Sequence, residues 1–492
     1  MPKYVIAIDV GTTGTRAIAF SKNIEIITKS YYELKQFYPN PLWVEQDPIE
    51  IYKQTLKALK DVIDTVGIEN VECIGITNQR ETTILWDKET AEPVYNAISW
   101  QCKRSQRICE ELQEYKDLIK QRTGLPLNPY FSATKIKWVL DNIETAKIKY
   151  KQNKLLFGTV DSWILYNLTK GKSHLTEYSN ASRTLCFNIH TLQYDKDLLN
   201  IFNLKEEIFP EIKQSSDFFG YLDKSFFNKE IPITGILGDQ QASLLANIGF
   251  NSENIKNTYG TGLFILSLID IPIIHENLIT TIAWKINNKI QYALEGSIFA
   301  GGNIIKYVRD QLKLIKSAPE TEDIAKSLES NEGVYFIPAL SGLSAPYWNS
   351  NAKAIILGLT YKSDYRYIVR AALEAIAYQT KDLIEIFKNT LNKDFKELYV
   401  DGGASSNNFL MQFQADLLNM KIIRPSIIET TALGAALAAA LYTNFWDINY
   451  FFANKKIDKI FYPSNNKNLV QQYYQTWKKA IKFTNEFYSD YP

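Results

Sequence analysis

The 492-residue chain predicts an α/β fold with two domains. Apolar β-branched runs end at turns rich in glycine and threonine, stretches with helical periodicity lie between these runs, and the turns occur in both halves of the chain. Strands that alternate with helices are typical of α/β architecture. At roughly 150 residues per domain, the length suggests two or three domains. From the spacing of the turns we predict a boundary near residue 250, with an N-terminal domain of residues 1–250 and a C-terminal domain of residues 251–492.

Four strands and four helices are predicted from local patterns. The strand-then-turn patterns lie at residues 4–14, 233–239, 258–262 and 398–403. The clearest helical periodicity lies at residues 49–63, 134–142, 368–387 and 409–418. Because the turns come from both halves, we expect one site that both halves build.

Composition excludes several classes of protein. Lys+Arg 55 against Asp+Glu 54 gives a net charge of +1, and there is no long basic block, so we expect no nucleic-acid partner. The longest apolar stretch, residues 433–441, is far shorter than the roughly 20 residues of a membrane-spanning helix. The first ten residues are too few and too polar for a secretion signal, and the four cysteines lack metal-ligand spacing. We therefore expect a cytoplasmic protein without an integral membrane segment.

The first turn, which follows Asp9, has the composition of a phosphate-binding loop. Backbone N–H groups and small hydroxyl side chains can surround a phosphate without a lysine, and glycine lets the backbone approach closely. Thr12 and Thr13 would donate to phosphate oxygens, Arg16 would neutralise charge, and Asp9 could hold a hydrated Mg²⁺. A plain β-hairpin is the alternative interpretation. No lysine-containing phosphate loop of the usual pattern occurs in the sequence.

Two further glycine turns, at residues 260–262 and 401–407, complete a nucleotide-site pattern. Two phosphate turns that face each other, with a third glycine pair lying flat against adenine, would form a cleft between domains. Such a cleft favours phosphoryl transfer, in which positioning and charge neutralisation supply most of the catalysis.

The segment from Ile76 to Thr83 is the candidate site for the acceptor of the phosphoryl group. Arg80 and Glu81 offer both donors and acceptors, as a polyol requires, although a solvated ion pair is the alternative interpretation. Asp239 follows a strand, where a carboxylate could accept a hydroxyl proton or cap a helix. Apolar walls could come from three aromatic residues, Trp100, Tyr130 and Phe264.

Together these motifs resemble the FGGY carbohydrate kinase family over nearly the whole chain, and within it most closely the members that phosphorylate glycerol. The matching segments include DVGTTGTRA from Asp9, IGITNQRETTILWD from Ile74, GDQQASL from Gly238, NTYGTG from Asn257 and DGGASSNNFLMQFQADLL from Asp401. The resemblance implies two actin-like ATPase (ribonuclease H-like) domains that flank an interdomain cleft. It also implies transfer of the γ-phosphoryl group of Mg-ATP to glycerol by a homodimer or homotetramer.

The resemblance also assigns roles by matching position. It implies Asp239 as the general base and Asp9 with Asp239 as the Mg²⁺ partners. The implied acceptor-binding residues are Arg80, Glu81, Trp100, Tyr130, Asp239, Gln240 and Phe264. The implied ATP-binding residues are Thr12, Thr13, Gly14, Arg16, Thr261, Gly302, Lys306, Gly403 and Asn407.

Three positions depart from the family pattern near the nucleotide site. Family members usually carry glutamine where this chain has Val10, serine or threonine where it has Gly14, and glutamine where it has Lys306. The loss of a side-chain donor at Gly14 would weaken phosphate contacts, but we expect activity to survive because the other contacts persist.

Three other interpretations stay open at this point. A sister kinase of the same family would act on a ketopentose, an aldonate or a longer polyol. A non-catalytic actin-like protein would not need both Asp9 and Asp239, and a polyol-binding module would not need the phosphate turns.

Overall fold

The computed structural model describes residues 2–340, 342–343, 345–347, 349 and 351–489. The outer ends of the two predicted domains, Met1 and residues 490–492, lie outside the described residues.

A six-stranded mixed sheet organises the N-terminal half. The strands are β1 (Tyr4–Val10), β2 (Gly14–Ser21), β3 (Ile26–Glu33), β4 (Val71–Asn78), β5 (Ser216–Leu222) and β6 (Ile231–Gly238). Their order across the sheet is β5-β6-β4-β1-β2-β3. β1, β4 and β6 are parallel, whereas β1-β2-β3 form an antiparallel meander.

A seven-stranded mixed sheet organises the C-terminal half. The strands are β7 (Ile255–Tyr259), β8 (Leu263–Ile269), β9 (Ile279–Ile286), β10 (Lys289–Ile298), β11 (Glu397–Asp401), β12 (Lys421–Pro425) and β13 (Ile457–Phe461). Their order is β9-β10-β8-β7-β11-β12-β13. In both sheets, the first strand lies between an antiparallel neighbour that follows a tight turn and a parallel neighbour that comes much later in the chain. The two sheets therefore share a topology around their first strands.

The helices cover the faces of these sheets. The main ones are α1 (Pro48–Val66), α2 (Ser132–Asn142), α3 (Val160–Leu168), α4 (Asp239–Ile248), α5 (Gly302–Asp310), α6 (Tyr365–Leu391), α7 (Asn408–Leu418), α8 (Thr430–Tyr442) and α9 (Lys467–Phe487). Shorter helices are Gln106–Glu111, Lys116–Thr123, Glu144–Lys151, Tyr178–Ala181, Lys196–Phe202, Glu320–Lys326 and Ile448–Asn454. Two-stranded pairs join Glu45–Gln46 to Ala97–Ile98, Ile84–Asp87 to Leu155–Gly158, Leu175–Glu177 to Glu211–Lys213, Phe187–Asn188 to Gln193–Tyr194, and Tyr335–Ile337 to Ile355–Leu357.

The elements predicted from periodicity are confirmed. The helical periods at residues 49–63, 134–142, 368–387 and 409–418 lie within α1, α2, α6 and α7. Helix α1 begins where local chemistry favours it, because the Asp47 carboxylate accepts a hydrogen bond from the Ile49 N–H and Pro48 occupies the first turn.

Helix α8 belongs to the C-terminal half of the chain, but it packs on the N-terminal sheet, on the face formed by β1, β4 and β6. Gly75 on β4 and Gly235 on β6 let the backbone of α8 approach the sheet closely. A Cβ on Gly75 would lie 2.1 Å from the Ala435 carbonyl oxygen, and a Cβ on Gly235 would lie 2.3 Å from the Ala439 nitrogen. Only glycine therefore fits at those two positions. Within the described residues, no helix combines the length and apolar character needed to cross a membrane.

Candidate active site

The parallel strands bring the predicted acceptor residues to one edge of the N-terminal sheet. Val10, Asn78 and Gly238 lie level with one another at the ends of β1, β4 and β6. The residues that follow them, among them Arg80 and Asp239, therefore meet at the carboxyl edge, where ligands bind in open α/β sheets.

Arg80 lies at the centre of a cluster of opposite charges. Its two terminal nitrogens donate to the Glu295 carboxylate at 2.6 and 3.1 Å, and its Nε lies 3.2 Å from Asp239 Oδ1. Arg183 donates to Glu81 at 2.5 Å and to Glu295 at 3.2 Å. Both Arg80 and Glu81 are almost wholly buried, so the interpretation of a solvated surface pair is wrong.

Asp239 is the solvent-exposed member of this cluster. Its side chain is 31% exposed, whereas the other four charged side chains are at most 2% exposed. Burial raises the pKa of the Asp239 carboxyl above its ordinary value, although the Arg80 guanidinium opposes the shift. A raised pKa suits a general base, because a carboxylate of ordinary pKa is a weak proton acceptor. Asp239 is also the first residue of α4.

Burial alone would raise the pKa of Glu295, but Arg183 and Arg80 lower it to about 2. Glu295 is therefore a fixed negative charge that holds both arginines. The pKa of the Glu81 carboxyl is raised by burial as that of Asp239 is, but only Asp239 of the three carboxylates is exposed to a ligand.

The predicted apolar wall is assembled in part around the cluster. The rings of Trp100 and Tyr130 pack edge to face with centroids 5.5 Å apart, and Trp100 Nε1 donates to Thr12 Oγ1 at 2.9 Å. The acceptor side thus touches the first phosphate turn. Phe264 lies on β8, two residues from Leu266, which pairs with Glu295 on β10, so Phe264 shares the sheet face of Glu295.

Gln240 is held by a buried lysine. Lys256 Nζ, on β7, donates to Gln240 Oε1 at 2.8 Å, which leaves the amide N–H groups of Gln240 available to a ligand oxygen.

The first turn is a tight hairpin loop whose residues point in different directions. Gly11 N–H donates to the Gly14 carbonyl at 2.9 Å, and Gln46 holds the Thr12 carbonyl at 2.9 Å. Thr13 is exposed and Thr12 is partly exposed, whereas Gly14 is buried.

Asp9 lies beneath this turn, bound from both halves of the chain. Its Oδ2 accepts a hydrogen bond from Thr431 Oγ1 of α8 at 2.9 Å and lies 3.4 Å from Arg16 Nε, which has no hydrogen-bond partner within the described residues. Asp9 and Asp239 are close enough that the charge on Asp9 raises the pKa of Asp239. Mg²⁺ usually takes one or two carboxylates together with water and phosphate oxygens, so this pair of carboxylates fits such an ion. Within the described residues, no three His, Cys, Asp or Glu side chains group as a metal cage.

The second turn is fastened to the start of α5. Gly302 N–H donates to the Gly260 carbonyl at 2.8 Å, and Gly301 N–H donates to the Thr261 carbonyl at 3.1 Å. The third turn begins level with it, because Thr258 of β7 pairs with Asp401 of β11.

These two turns border a cavity of about 760 Å³. It brings together five of the predicted ATP-binding residues, Thr261, Gly302, Lys306, Gly403 and Asn407. A Cβ on Gly403 would have no neighbour within 4 Å, so the cavity is open above that residue. Asn407 caps α7 by accepting from the Leu410 N–H and donates to Thr321, so its side chain shapes the wall of the cavity. The other four predicted residues, Thr12, Thr13, Gly14 and Arg16, lie on the first turn outside this cavity.

Comparison with known proteins decides the family. The profile of the FGGY family of carbohydrate kinases, N-terminal domain, matches residues 4–246, and that of the C-terminal domain matches residues 255–442. The chain belongs to the FGGY family of carbohydrate kinases. The family and the fold class predicted from the sequence are thereby confirmed.

Individual FGGY kinases match over nearly the full length. The glycerol kinase of Aquifex aeolicus is 54% identical over 481 residues, which cover 97% of this chain and 98% of that protein. The glycerol kinase of Caldanaerobacter subterraneus is 48% identical over 489 residues, 98% of each chain. The crystal structure of Plasmodium falciparum glycerol kinase with ADP superposes with a TM-score of 0.92, at 35% identity and 98% coverage of both chains. A xylulose kinase from Lactobacillus acidophilus shares the fold, with a TM-score of 0.89 at 22% identity and 99% coverage of both chains.

Sequence reasoning missed four residues of this FGGY site: Arg183, Lys256, Glu295 and Thr431. Each lies in the interior of a strand, a helix or a loop and reaches the site through a tertiary contact, such as the one between Arg80 and Glu295, which are 215 residues apart. The available signal was a charge in largely apolar surroundings, as in YALEGSIF around Glu295.

Proposed function

We propose that the protein is a glycerol kinase that transfers the γ-phosphoryl group of ATP to glycerol, giving sn-glycerol 3-phosphate and ADP. One observation carries the proposal: the partly exposed Asp239 emerges from a buried arginine–carboxylate cluster at the edge where the first phosphate turn begins. The full-length similarity to glycerol kinases supports the choice of acceptor.

Glycerol would bind against the charged cluster with its hydroxyl groups and against the aromatic residues with its carbon-bound hydrogens. Arg80 offers donors, Glu81 and Asp239 offer acceptors, and the Gln240 amide faces the same space once Lys256 holds its oxygen. Trp100 and Tyr130 would exclude water from the carbon face.

ATP would span the two halves of the chain. Its adenosine would occupy the cavity beside Gly403, and its phosphates would reach from the turn at residues 260–262 to Thr12, Thr13 and Arg16. Asp9 and Asp239 would hold Mg²⁺, which neutralises charge on the phosphate oxygens when it is bound.

In the transfer step, a terminal hydroxyl oxygen of glycerol forms a bond to the γ-phosphorus while the bond from that phosphorus to the oxygen bridging it to the β-phosphorus breaks. The hydroxyl proton passes to the Asp239 carboxylate, and ADP leaves with the bridging oxygen. Arg80, 3.2 Å from Asp239, keeps the carboxylate oriented until the proton arrives.

An acceptor panel tests the proposal. With Mg-ATP and a choice of glycerol, dihydroxyacetone, xylulose, ribulose or gluconate, we expect the highest kcat/KM for glycerol, measured by coupled ADP release. A site that hydrogen-bonds particular hydroxyl groups can reject the wrong acceptor by up to about 10⁴ to 10⁵.

The panel also separates this proposal from its nearest rival. Preferred turnover of xylulose, ribulose or gluconate would reassign the protein to a sister kinase with the same fold, and absence of turnover with every acceptor would contradict kinase activity.

A homodimer or homotetramer and a cytoplasmic location stay predictions of the family resemblance. Light scattering measures the first, and fractionation of cells measures the second.

A further inference from the structure

Tyr31 fills the space that a side chain would occupy at Gly14, one of the departures from the family pattern. A Cβ added to Gly14 would lie 2.3 Å from Tyr31 Oη and 2.4 Å from the ring carbons Cε2 and Cζ. Where serine or threonine is usual, this chain therefore places a phenol hydroxyl that arrives from the neighbouring strand β3.

Tyr31 continues a row of paired residues that includes Asp9 and Arg16, both proposed above to lie at the nucleotide phosphates. Asp9 of β1 pairs with Arg16 of β2, and Arg16 pairs with Tyr31 of β3. Directly paired residues point to the same face of a sheet, so all three side chains share one face. The Arg16 guanidinium carbon lies 5.6 Å from the centre of the Tyr31 ring, at cation–π distance.

The Tyr31 hydroxyl remains accessible at this place. The hydroxyl group donates to the Thr13 carbonyl oxygen at 3.2 Å, and the residue is 48% exposed. A phenol hydroxyl has one donor and acceptor lone pairs, and its hydrogen can rotate toward a stronger acceptor. A phosphate oxygen bound beside Thr13 would be such an acceptor, because it is charged.

We propose that Tyr31 is a nucleotide-binding residue that donates its hydroxyl to a phosphate oxygen in place of the hydroxyl that Gly14 lacks. The inference rests on the proposed use of ATP. Gly14 and Tyr31 then form a matched pair. The absence of a side chain at Gly14 leaves room for the Tyr31 ring, and the Tyr31 hydroxyl supplies the hydrogen-bond donor that Gly14 lacks. This explains why a phosphate turn without a hydroxyl at residue 14 can still hold the nucleotide.

Removal of the hydroxyl alone tests the first half of the proposal. Tyr31→Phe keeps the ring over Arg16, so we expect an increase of about tenfold in the Kd for ADP and in the KM for ATP, as for the loss of one hydrogen bond to a charged group. We expect the KM for glycerol and the thermal midpoint to stay unchanged, a separation that a merely structural role would not produce.

The matched control is Tyr32→Phe. Tyr32 is the next residue on β3, and its hydroxyl donates to Asp61 at 2.6 Å, away from the turn. Its loss should leave ADP binding unchanged, so an equal weakening by Tyr32→Phe would overturn the proposal.

A double-mutant cycle tests the second half. Gly14→Ser alone should weaken ADP binding because its Cβ collides with Tyr31, and Tyr31→Ala alone should weaken it because the donor is lost. Combined, Gly14→Ser with Tyr31→Ala should recover affinity, since the serine then has room and supplies the hydroxyl. Two independent losses that simply add would overturn the pairing.

ADP titration by calorimetry keeps this test distinct from the proposed function. Wild-type protein that binds ADP while Tyr31→Phe binds it equally well would refute the role of Tyr31 alone. Wild-type protein that binds no ADP would refute both the inference and the proposed use of ATP.

Discussion

At the proposed acceptor site, buried residues of opposite charge surround one carboxylate that is partly exposed. Two arginines, Arg80 and Arg183, face three carboxylates, Glu81, Asp239 and Glu295. The two buried glutamates pair with both guanidinium groups, and the remaining negative charge is on Asp239, beside solvent. A buried carboxylate without a full partner binds protons more readily, which is the property that a base needs.

Lys256, from the C-terminal half of the chain, acts on the pKa of this proposed base. Burial raises the pKa of the Asp239 carboxyl, and the charges of Arg80 and Lys256 oppose that shift. We predict that Lys256→Met, which removes one opposing charge, raises the pKa further. Because Asp239 must be ionised to accept a proton, the acid limb of kcat/KM should move to higher pH, and a pH profile from pH 4 to 8 measures it.

A second lysine of the C-terminal half, Lys455, provides the control for this profile. Lys455 is partly buried, its Nζ donates to the Ala246 carbonyl at 2.7 Å, and the carboxylate that interacts with its charge is Asp401. Lys455→Met should leave the acid limb in place. An unshifted limb in Lys256→Met, or the same shift in both variants, would be inconsistent with this role.

At the scale of elements, the glycine turns could be predicted from the sequence, but the packing of helices against the sheets could not. A β-branched run followed by glycine and threonine is a local signal, so the turns at residues 11–14 and 260–262 can be predicted from the sequence. Helix α8 shows the opposite case: its stretch of alanine and leucine predicts burial but not against which sheet. Its place on the N-terminal sheet follows from Gly75 and Gly235, which are informative only once the strands are aligned.

Helix α8 also carries a close contact with α4 that can be tested. A Cβ on Gly434 would lie 1.8 Å from the Ala242 carbonyl oxygen, so Gly434→Ala must push the two helices apart. We expect the free energy of unfolding to fall by about 1 to 3 kcal/mol, as for other overpacked cores. Thermal denaturation beside the wild type measures the loss.

The same substitution at an open glycine serves as the comparison. The Cβ that Gly403→Ala adds would have no neighbour within 4 Å, so the free energy of unfolding of this variant should stay within about 0.5 kcal/mol of the wild-type value. If Gly434→Ala were as stable as Gly403→Ala, the close packing of α8 on α4 would be refuted.

At the scale of the whole molecule, two sheets of related topology each supply, after their first strand, a glycine-containing turn that we propose binds phosphate. Contacts join the halves beside the site: Thr431 donates to Asp9, and Arg80 pairs with Glu295. A relative movement of the halves would therefore change the surroundings of both predicted Mg²⁺ partners. We expect closure over the substrates, because exclusion of water limits wasteful hydrolysis of ATP.

The proposed mechanism depends on Asp239 as the base for a glycerol hydroxyl, and Asp239→Asn removes that base. Steady-state ADP release with saturating glycerol and Mg-ATP should fall by about 10² to 10⁴, the usual contribution of general-base catalysis, while calorimetry shows that the variant still binds ADP. Glycerol-dependent turnover at the wild-type rate in Asp239→Asn would contradict the account.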